Sequence, residues 1–444
     1  MSRRCLGALA AAAALTIAGV GCAHATRDRV WLESAVAERT GHRLGPAVSD
    51  RAAPLPPGCR PEDGLDADEA VAVALWRSPA LQAELTRLDA ALADLDEASR
   101  PANPRLSFLA PFDPRQLALI LALPIDALWQ LPSRSEAASR ELEAVADALV
   151  QVVLDVERSI RLAHLDAFAA RARSVVQERV ATTWRAAATL ARGRASAGDI
   201  SEAEASAAEA EAVIALDAVT RARADAVIAE ARLLAGLGAP WARLPELTLT
   251  LAAAELPAEP ELIARALRLR PDLRAAALAL HASAARAHWE RSRALALVAT
   301  LDGQAARGEW TPHFSPGVQL ELPLFARNPG GIGRAEAAVA RAGYAYAAQR
   351  LTIAAEVVAA RVSYERARTS REAYARAVDA LHRASVGATS AFQSGDQSYL
   401  FAVEAMRREA EARLQQVALD ADLARAQAEL ARSVGGSLSA RSGT

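Results

Sequence analysis

Few side chains in this sequence are spaced for chemistry. Cys22 closes Gly19-Val20-Gly21-Cys22 behind the basic pair Arg3-Arg4 and the apolar run from Leu6 to Val20. That is the pattern of an export signal, residues 1–21, whose cysteine is lipidated on its thiol. Gly19 stands where such a box usually has Leu, and Ala23-His24-Ala25 is an ordinary small-x-small cleavage site, so both processing routes are open. Of the 3 cysteines, Cys5 leaves with the signal and Cys59 is the one unmodified thiol, which cannot build a disulfide framework. His281 and His288 are seven residues apart on a predicted helix, about 10 Å along its axis, too far to share one ion without other ligands. No Ser-His, Cys-His or HExxH arrangement is present, so the sequence predicts no catalytic residue, no metal site and no cofactor.

The elements that must position these residues are mostly helical. The 444 residues are rich in Ala, Leu, Glu and Arg, with only 4% aromatic residues, a composition that favours long helices packed through small side chains. All 51 basic residues are Arg, interspersed with 53 acids for a net charge of −2, so no nucleic-acid surface is expected. Beyond residue 22 the apolar runs fall short of the roughly 20 residues a transmembrane helix needs. If this chain crosses a membrane, it does so with strands.

Proline positions divide the chain. None of the 21 prolines lies in 133–239 or 330–444, and a helix interior tolerates proline at a penalty of about 3 kcal/mol, so these arms are predicted to be long helices. Each arm is broken once, at Ala197-Gly198-Asp199-Ile200-Ser201 and at Ser394-Gly395-Asp396-Gln397-Ser398. Gly supplies a left-handed cap and Asp or Ser starts the next helix, so each arm reads as a helical hairpin. In the first return helix, Val213, Leu216, Thr220, Ala224, Val227, Ala231 and Leu234 follow i+3/i+4 steps and are expected to form the packing seam.

The segment from Ala70 to Ala83 aligns with Leu262 to Ala275, matching Pro79 to Pro271, and the Gly-Asp tips repeat at nearly the same offset. The chain therefore reads as a tandem duplication, with residues 22–64 as an extended N-terminal segment, 65–239 as the first repeat, 240–260 as a linker, 261–434 as the second repeat and 435–444 as a tail. Each repeat holds one predicted strand pair. In the first, Leu117, Leu119, Leu121 and Leu123 share a face; in the second, a turn at Trp310 to Pro316 is followed by Val318, Leu320, Leu322 and Leu324 set against Gln319 and Glu321. Polar residues Asp302 and Gln304 alternate with Leu295, Leu297 and Leu301, while Phe112, Trp129, Trp310, Phe314 and Phe325 sit near strand ends. This fits strands that are apolar outside and wet inside, with interfacial aromatics, or a soluble sheet with one buried face. Four strands cannot close a barrel, so the membrane reading demands a ring of identical chains.

Taken together, the export signal, duplication, strand pairs and long helical hairpins resemble the TolC-like family of bacterial outer-membrane efflux channels. The strand-exit motif from Leu322 to Ile332, followed by Ala335-Glu336-Ala337, is most similar to the CzcC-like branch serving heavy-metal pumps of the resistance–nodulation–division type. A second family hallmark is matched by Leu65 to Ala83. The resemblance implies a mainly α fold with a small β part: duplicated helical hairpins forming a periplasmic α-barrel, and four strands contributed to the β-barrel of a homotrimer in outer-membrane lipid. It implies a passive conduit served by an inner-membrane pump, with a periplasmic adaptor at the tips around Gly198, Asp199, Gly395 and Asp396. Acidic residues close the tunnel in the family; Glu404 matches one such position, and Phe401 departs at the other. Competing readings are a drug or other small-molecule channel of the same fold, and a periplasmic coiled-coil adaptor or structural lipoprotein.

Overall fold

The computed structural model describes residues 27–46, 55–59, 64–109, 116–238, 243–249, 256–293, 296–306, 309–321 and 327–436. Helix α1 (Arg29–Thr40) precedes two copies of one element order. The first copy is α2 (Ala67–Arg77), α3 (Pro79–Ser99), β1 (Arg105–Leu109), β2 (Gln116–Pro124), α4 (Asp126–Ala197) and α5 (Glu202–Leu237). The second is α6 (Glu259–Leu269), α7 (Pro271–Ser292), β3 (Ala296–Ala306), β4 (Glu309–Glu321), α8 (Pro329–Ser394) and α9 (Tyr399–Ser433). Two helices, not one, precede each strand pair. The break falls on Ser78 and Arg270, the residues before Pro79 and Pro271, which hold extended ψ values of 116° and 124° because the proline ring disfavours helical backbone there. Among the described residues no helix is long and apolar enough to cross a membrane.

The chain divides into two compact units, each taking segments from both repeats. The first comprises residues up to 32, 85–149 and 271–349. It contains one antiparallel sheet of order β1-β2-β3-β4, in which the central β2–β3 ladder joins the two repeats. Strand β4 covers Glu309–Glu321, where the sequence predicted a turn from Trp310 to Pro316. An edge strand accepts Pro312 and Pro316 because one side of its backbone has no partner to bond. Helix α4 likewise begins at Asp126 rather than after Pro132, which sits inside it. At the other end of this unit, the Asp147 carboxylate is buried between Arg27, at 3.6 Å, and Arg274, at 3.4 Å, tying the N-terminal segment to both repeats.

The second unit comprises residues 33–84, 150–270 and 350–444. Its α2 is buried at Ala70, Val71, Val73, Ala74 and Leu75 and begins with a capping box, in which Asp66 accepts from the Glu69 amide and Glu69 from the Asp66 amide. Leu65 just ahead of it forms a parallel bridge with Leu247 of the linker. The fully buried His164 on α4 lies with Nε2 2.8 Å from the Leu65 carbonyl, and Arg171 one turn-pair further donates to the Pro245 carbonyl at 2.7 Å. The linker between the repeats is thus gripped by α4.

The seam of α5 differs from the one the sequence predicted. Its buried residues are Ala205, Ala208, Ala215, Val219, Ala226, Leu233 and Leu237. Val213 (68% exposed), Leu216 and Val227 face away from the rest of the chain. Near the tip the packed stripe is alanine, which lets helix axes approach closely and gain dispersion contact, and toward the other end it is Val219, Leu233 and Leu237; the predicted stripe is rotated out of this seam.

Candidate functional site

The sheet of the first unit has two chemically opposed faces, and its register fixes them. Residues directly opposite each other on antiparallel strands share a face. Leu106, Leu121, Leu301 and Pro316 form one row, Phe108, Leu119 and Gly303 the next, and Leu123, Ala299 and Val318 another, with Leu297 opposite Leu320. The large apolar residues described on this face are exposed, from 39% at Leu301 to 69% at Val318, except Leu297, which is half-buried. The opposite face is mixed: it carries Arg105, Ser107, Thr300, Asp302, Ser315, Gln319 and Glu321, with Leu109, Ile120, Ala122 and Val298 among them. Trp129, just past β2, is also exposed.

Leu119, Leu121, Leu123, Val318 and Leu320 lie on the apolar face as the alternation predicted. Leu117 holds its register position opposite Ala305, and Leu322 lies outside the described residues, as do Phe112, Phe325 and the lipidation candidate Cys22. Sequence reasoning left Leu106 and Phe108 out of this face because β1 is only 5 residues long and alternates too briefly to stand out. The pairing of β2 with β3 has no local signal at all.

The strand-exit motif has a physical explanation in the same unit. Asn328 adopts the left-handed region at φ 57° and donates from Nδ2 to the Glu290 carbonyl at 3.1 Å and carboxylate at 2.7 Å. Pro329 then opens α8 at the position where a missing N–H is harmless. A Cβ on residue 331 would sit 2.3 Å from Asn328 Oδ1, so Gly331 leaves room for the Asn328 amide to hold the end of α7. The motif fastens the start of α8 to the end of α7.

The hairpin tips belong to the second unit and share one geometry. Gly198 and Gly395 stand at φ 82° and 85°, and the amides of Asp199 and Asp396 close back on the carbonyls of Arg194 at 2.9 Å and Ala391 at 2.8 Å. These are the same left-handed helix caps, written twice. Ser201 and Ser398 cap the return helices, accepting from the Glu204 amide at 3.2 Å and the Phe401 amide at 3.4 Å. The two tips meet: Ala188, Ala191, Ala208, Phe392 and Ala402 form one buried cluster, and the Arg194 guanidinium stacks over the Phe392 ring at 4.6 Å. Gly198, Asp199, Gly395 and Asp396 are all exposed.

Beyond the tips the chemistry diverges. Glu204 completes a capping box with the Ser201 amide and hydroxyl, which hold its carboxyl below the usual range. The second return helix instead exposes Leu400 (72%) and Phe401 (55%). Glu404 is exposed and accepts from Arg408 Nε at 2.7 Å, so its charge is paired within its own helix. His281 and His288 are both exposed on α7, and among the described residues no group of three or more His, Cys, Asp or Glu could hold a metal ion. Cys59 is half-buried, and burial pushes its thiol above the usual range, away from a reactive thiolate.

Residues 262–436 match the family model described as outer membrane efflux protein. No curated protein matches the chain. Solved outer-membrane channel structures share its fold, among them the following three. CusC, studied for its folding and transmembrane channel formation, is 18% identical with a TM-score of 0.72 over 83% of this chain and 92% of its own. The CmeC outer membrane channel of Campylobacter jejuni is 14% identical, with a TM-score of 0.73 over 83% of this chain and 85% of its own. The open-state MtrE outer membrane channel of Neisseria gonorrhoeae is 18% identical, with a TM-score of 0.69 over 83% and 89%. At these identities the likeness is one of fold.

Proposed function

We propose that this chain is the outer-membrane channel of a tripartite efflux pump, a homotrimer in which each copy lends four strands to one membrane barrel. The observation that carries the reading is the register of the sheet. A bare leucine face is unstable in water, and two unpaired edges are unstable in lipid, where each orphan backbone group forfeits several kcal/mol. Strands β1 and β4 run in opposite directions, so identical copies joined edge to edge continue the antiparallel ladder. Closing that ring removes both edges, turns the leucines to lipid and the polar face to water. The exposed stripe of Val213, Leu216 and Val227 on α5 supports further packing against a neighbouring copy.

In this reading the protein performs no bond chemistry. It is a conduit whose energy comes from an inner-membrane pump, reached through a periplasmic adaptor that docks at Gly198, Asp199, Gly395 and Asp396. Phe401 and Glu404 line the periplasmic aperture, with the phenylalanine making part of the constriction apolar, and Cys22 anchors the chain to lipid. The cargo is heavy-metal cations, an assignment supported by the strand-exit motif around Asn328. A conduit gains nothing from holding them tightly, since an ion must leave as easily as it enters. Deleting the chain from its host is expected to sensitise cells to Zn²⁺ or Cd²⁺ in growth assays while leaving drug tolerance unchanged. The opposite pattern transfers the cargo to organic molecules.

A further inference from the structure

Arg105 and Glu321 carry opposite charges at the two open edges of the sheet. Arg105 begins β1 and Glu321 ends β4; both are exposed, and both lie on the polar face at the helix end of the strands. With β2 and β3 between them, three strand spacings of about 4.8 Å, they do not meet within one chain. Whether they meet between copies is a matter of register, since the row of Arg105 runs through Ala122, Thr300 and Gly317 and so crosses β4 short of Glu321.

The geometry of closure decides it. The Ile125 amide donates to the Leu297 carbonyl at 2.9 Å, so apolar-face residues of β3 bond toward β2. For L-residues on a strand rising from the helix end, this puts β2 on the right and β4 on the left, seen from the apolar side. Barrel strands coil right-handedly, so rows climb toward the left, and each copy's row reaches the next copy's β1 above its Arg105. That Arg105 therefore falls opposite a residue beyond Gly317, toward Glu321. Across four strands at about 4.8 Å, the usual tilt of about 35–45° staggers the next copy by about 13–19 Å, roughly 4 to 6 residues at about 3.4 Å each. The apolar face continues only if the stagger is even. A stagger of four corresponds to a tilt of about 35°, and six to about 47°, outside the usual range. Four sets Arg105 against Glu321, Leu106 against Leu320, Ser107 against Gln319 and Phe108 against Val318, apolar with apolar and the two charges together. Six would set Arg105 against Pro323 and Glu321 against Ser107, with neither charge matched.

We infer that each seam of the ring is set in register by an ion pair, Arg105 of one copy against Glu321 of the next, at the helix end of the barrel. This rests on the channel reading. Bonding sides alternate along each strand, so polar-face residues form the non-hydrogen-bonded pairs at the seam, where Cα atoms lie about 4.5 Å apart and side chains are closest. Strand β1 offers only 5 residues of ladder, and opposite charges directly across it penalise slipped pairings that backbone bonds alone would accept.

The test is disulfide trapping in trimers extracted in mild detergent, in a Cys59→Ser background, oxidised and then run on heated gels without reductant. Arg105→Cys with Glu321→Cys is expected to give covalent dimers and trimers, and either cysteine alone only single chains. Linkage instead through Ser107→Cys with Glu321→Cys, or through neither pair in intact trimers, overturns the inference. As a second measurement, Arg105→Glu or Glu321→Arg puts like charges opposite each other and is expected to lose the trimer band at a temperature where the wild type keeps it, while the double exchange restores it. Equal heat resistance in all four proteins, or no restoration in the double exchange, also counts against the pair. Single chains from every unheated sample, wild type included, overturn the ring itself, a result distinguishable from failure of the register.

Discussion

In the sheet the largest apolar side chains are exposed, whereas the helical hairpins bury many of theirs and, just below the tips, pack alanines around one ring. Leu106, Phe108 and Val318 are about two-thirds exposed, while Ala188, Ala191, Ala208 and Ala402 are packed around Phe392. The contrast teaches what each region lacks. The hairpin core is completed by its own repeats, with the seam filled by backbone contact. In the proposed ring the sheet is completed by lipid on one face and by a neighbouring copy's strands at its edges. A two-faced sheet with open edges is therefore the part of this molecule that reports on its surroundings.

The strongest way to break the contrast is to put a charge among the leucines. Leu301→Arg is expected to destabilise a membrane barrel by about 2–4 kcal/mol per copy, and three copies act together, so the assembled form should vanish from outer-membrane fractions on semi-native gels. Thr300→Arg, one residue away on the polar face, should leave it intact. Equal tolerance of both would show that the two faces see the same solvent.

A smaller effect is expected at the alanine seam. Ala208→Leu overfills the cluster beneath the tips and should destabilise by about 1–3 kcal/mol, visible as a lower thermal midpoint by circular dichroism. An unchanged midpoint would mean the hairpins are not close-packed there.

Next comes the grip of α4 on the linker. Burial lowers the pKa of His164 below the usual imidazole value of 6.5, so the unfolded chain binds the proton more readily than the folded one. Stability is therefore fully present above about pH 6.5 and falls as pH drops through that value toward the lowered one. Asp66 opposes the shift, and Arg161 and Arg171 reinforce it. His164→Gln should flatten the difference in thermal midpoint between pH 7.5 and 5.5. A variant that keeps the full wild-type pH dependence would assign it to other groups, such as His42, whose pKa burial also lowers.

The smallest effect sharpens the comparison of the two tips. Ser201→Ala removes a full capping box and should destabilise by about 1 kcal/mol, with Ser398→Ala, whose cap bond is longer and has no reciprocal partner, below that in the same melts.

Much of this was legible in local residue types. The tips were readable because Gly-Asp with a following Ser is a cap wherever it occurs, and the leucine face because alternation needs only one strand. The seam of α5 was misread because two apolar stripes of similar size run down the same helix, and periodicity alone does not say which of them meets α4. The turn expected at Pro312 and Pro316 failed for a related reason: proline reads as a strand breaker unless the strand is known to be an edge. The β2–β3 pairing, the stacking of Arg194 on Phe392 and the clamp on Leu65 are contacts between residues far apart in sequence, which no window of the chain contains.

The central claim, that the exposed sheet belongs to a ring of copies in the outer membrane, is tested most directly by the mass of the protein extracted from outer-membrane fractions in mild detergent. The account predicts a trimer that dissociates to single chains only on heating. A monomer that stays soluble without detergent would contradict it.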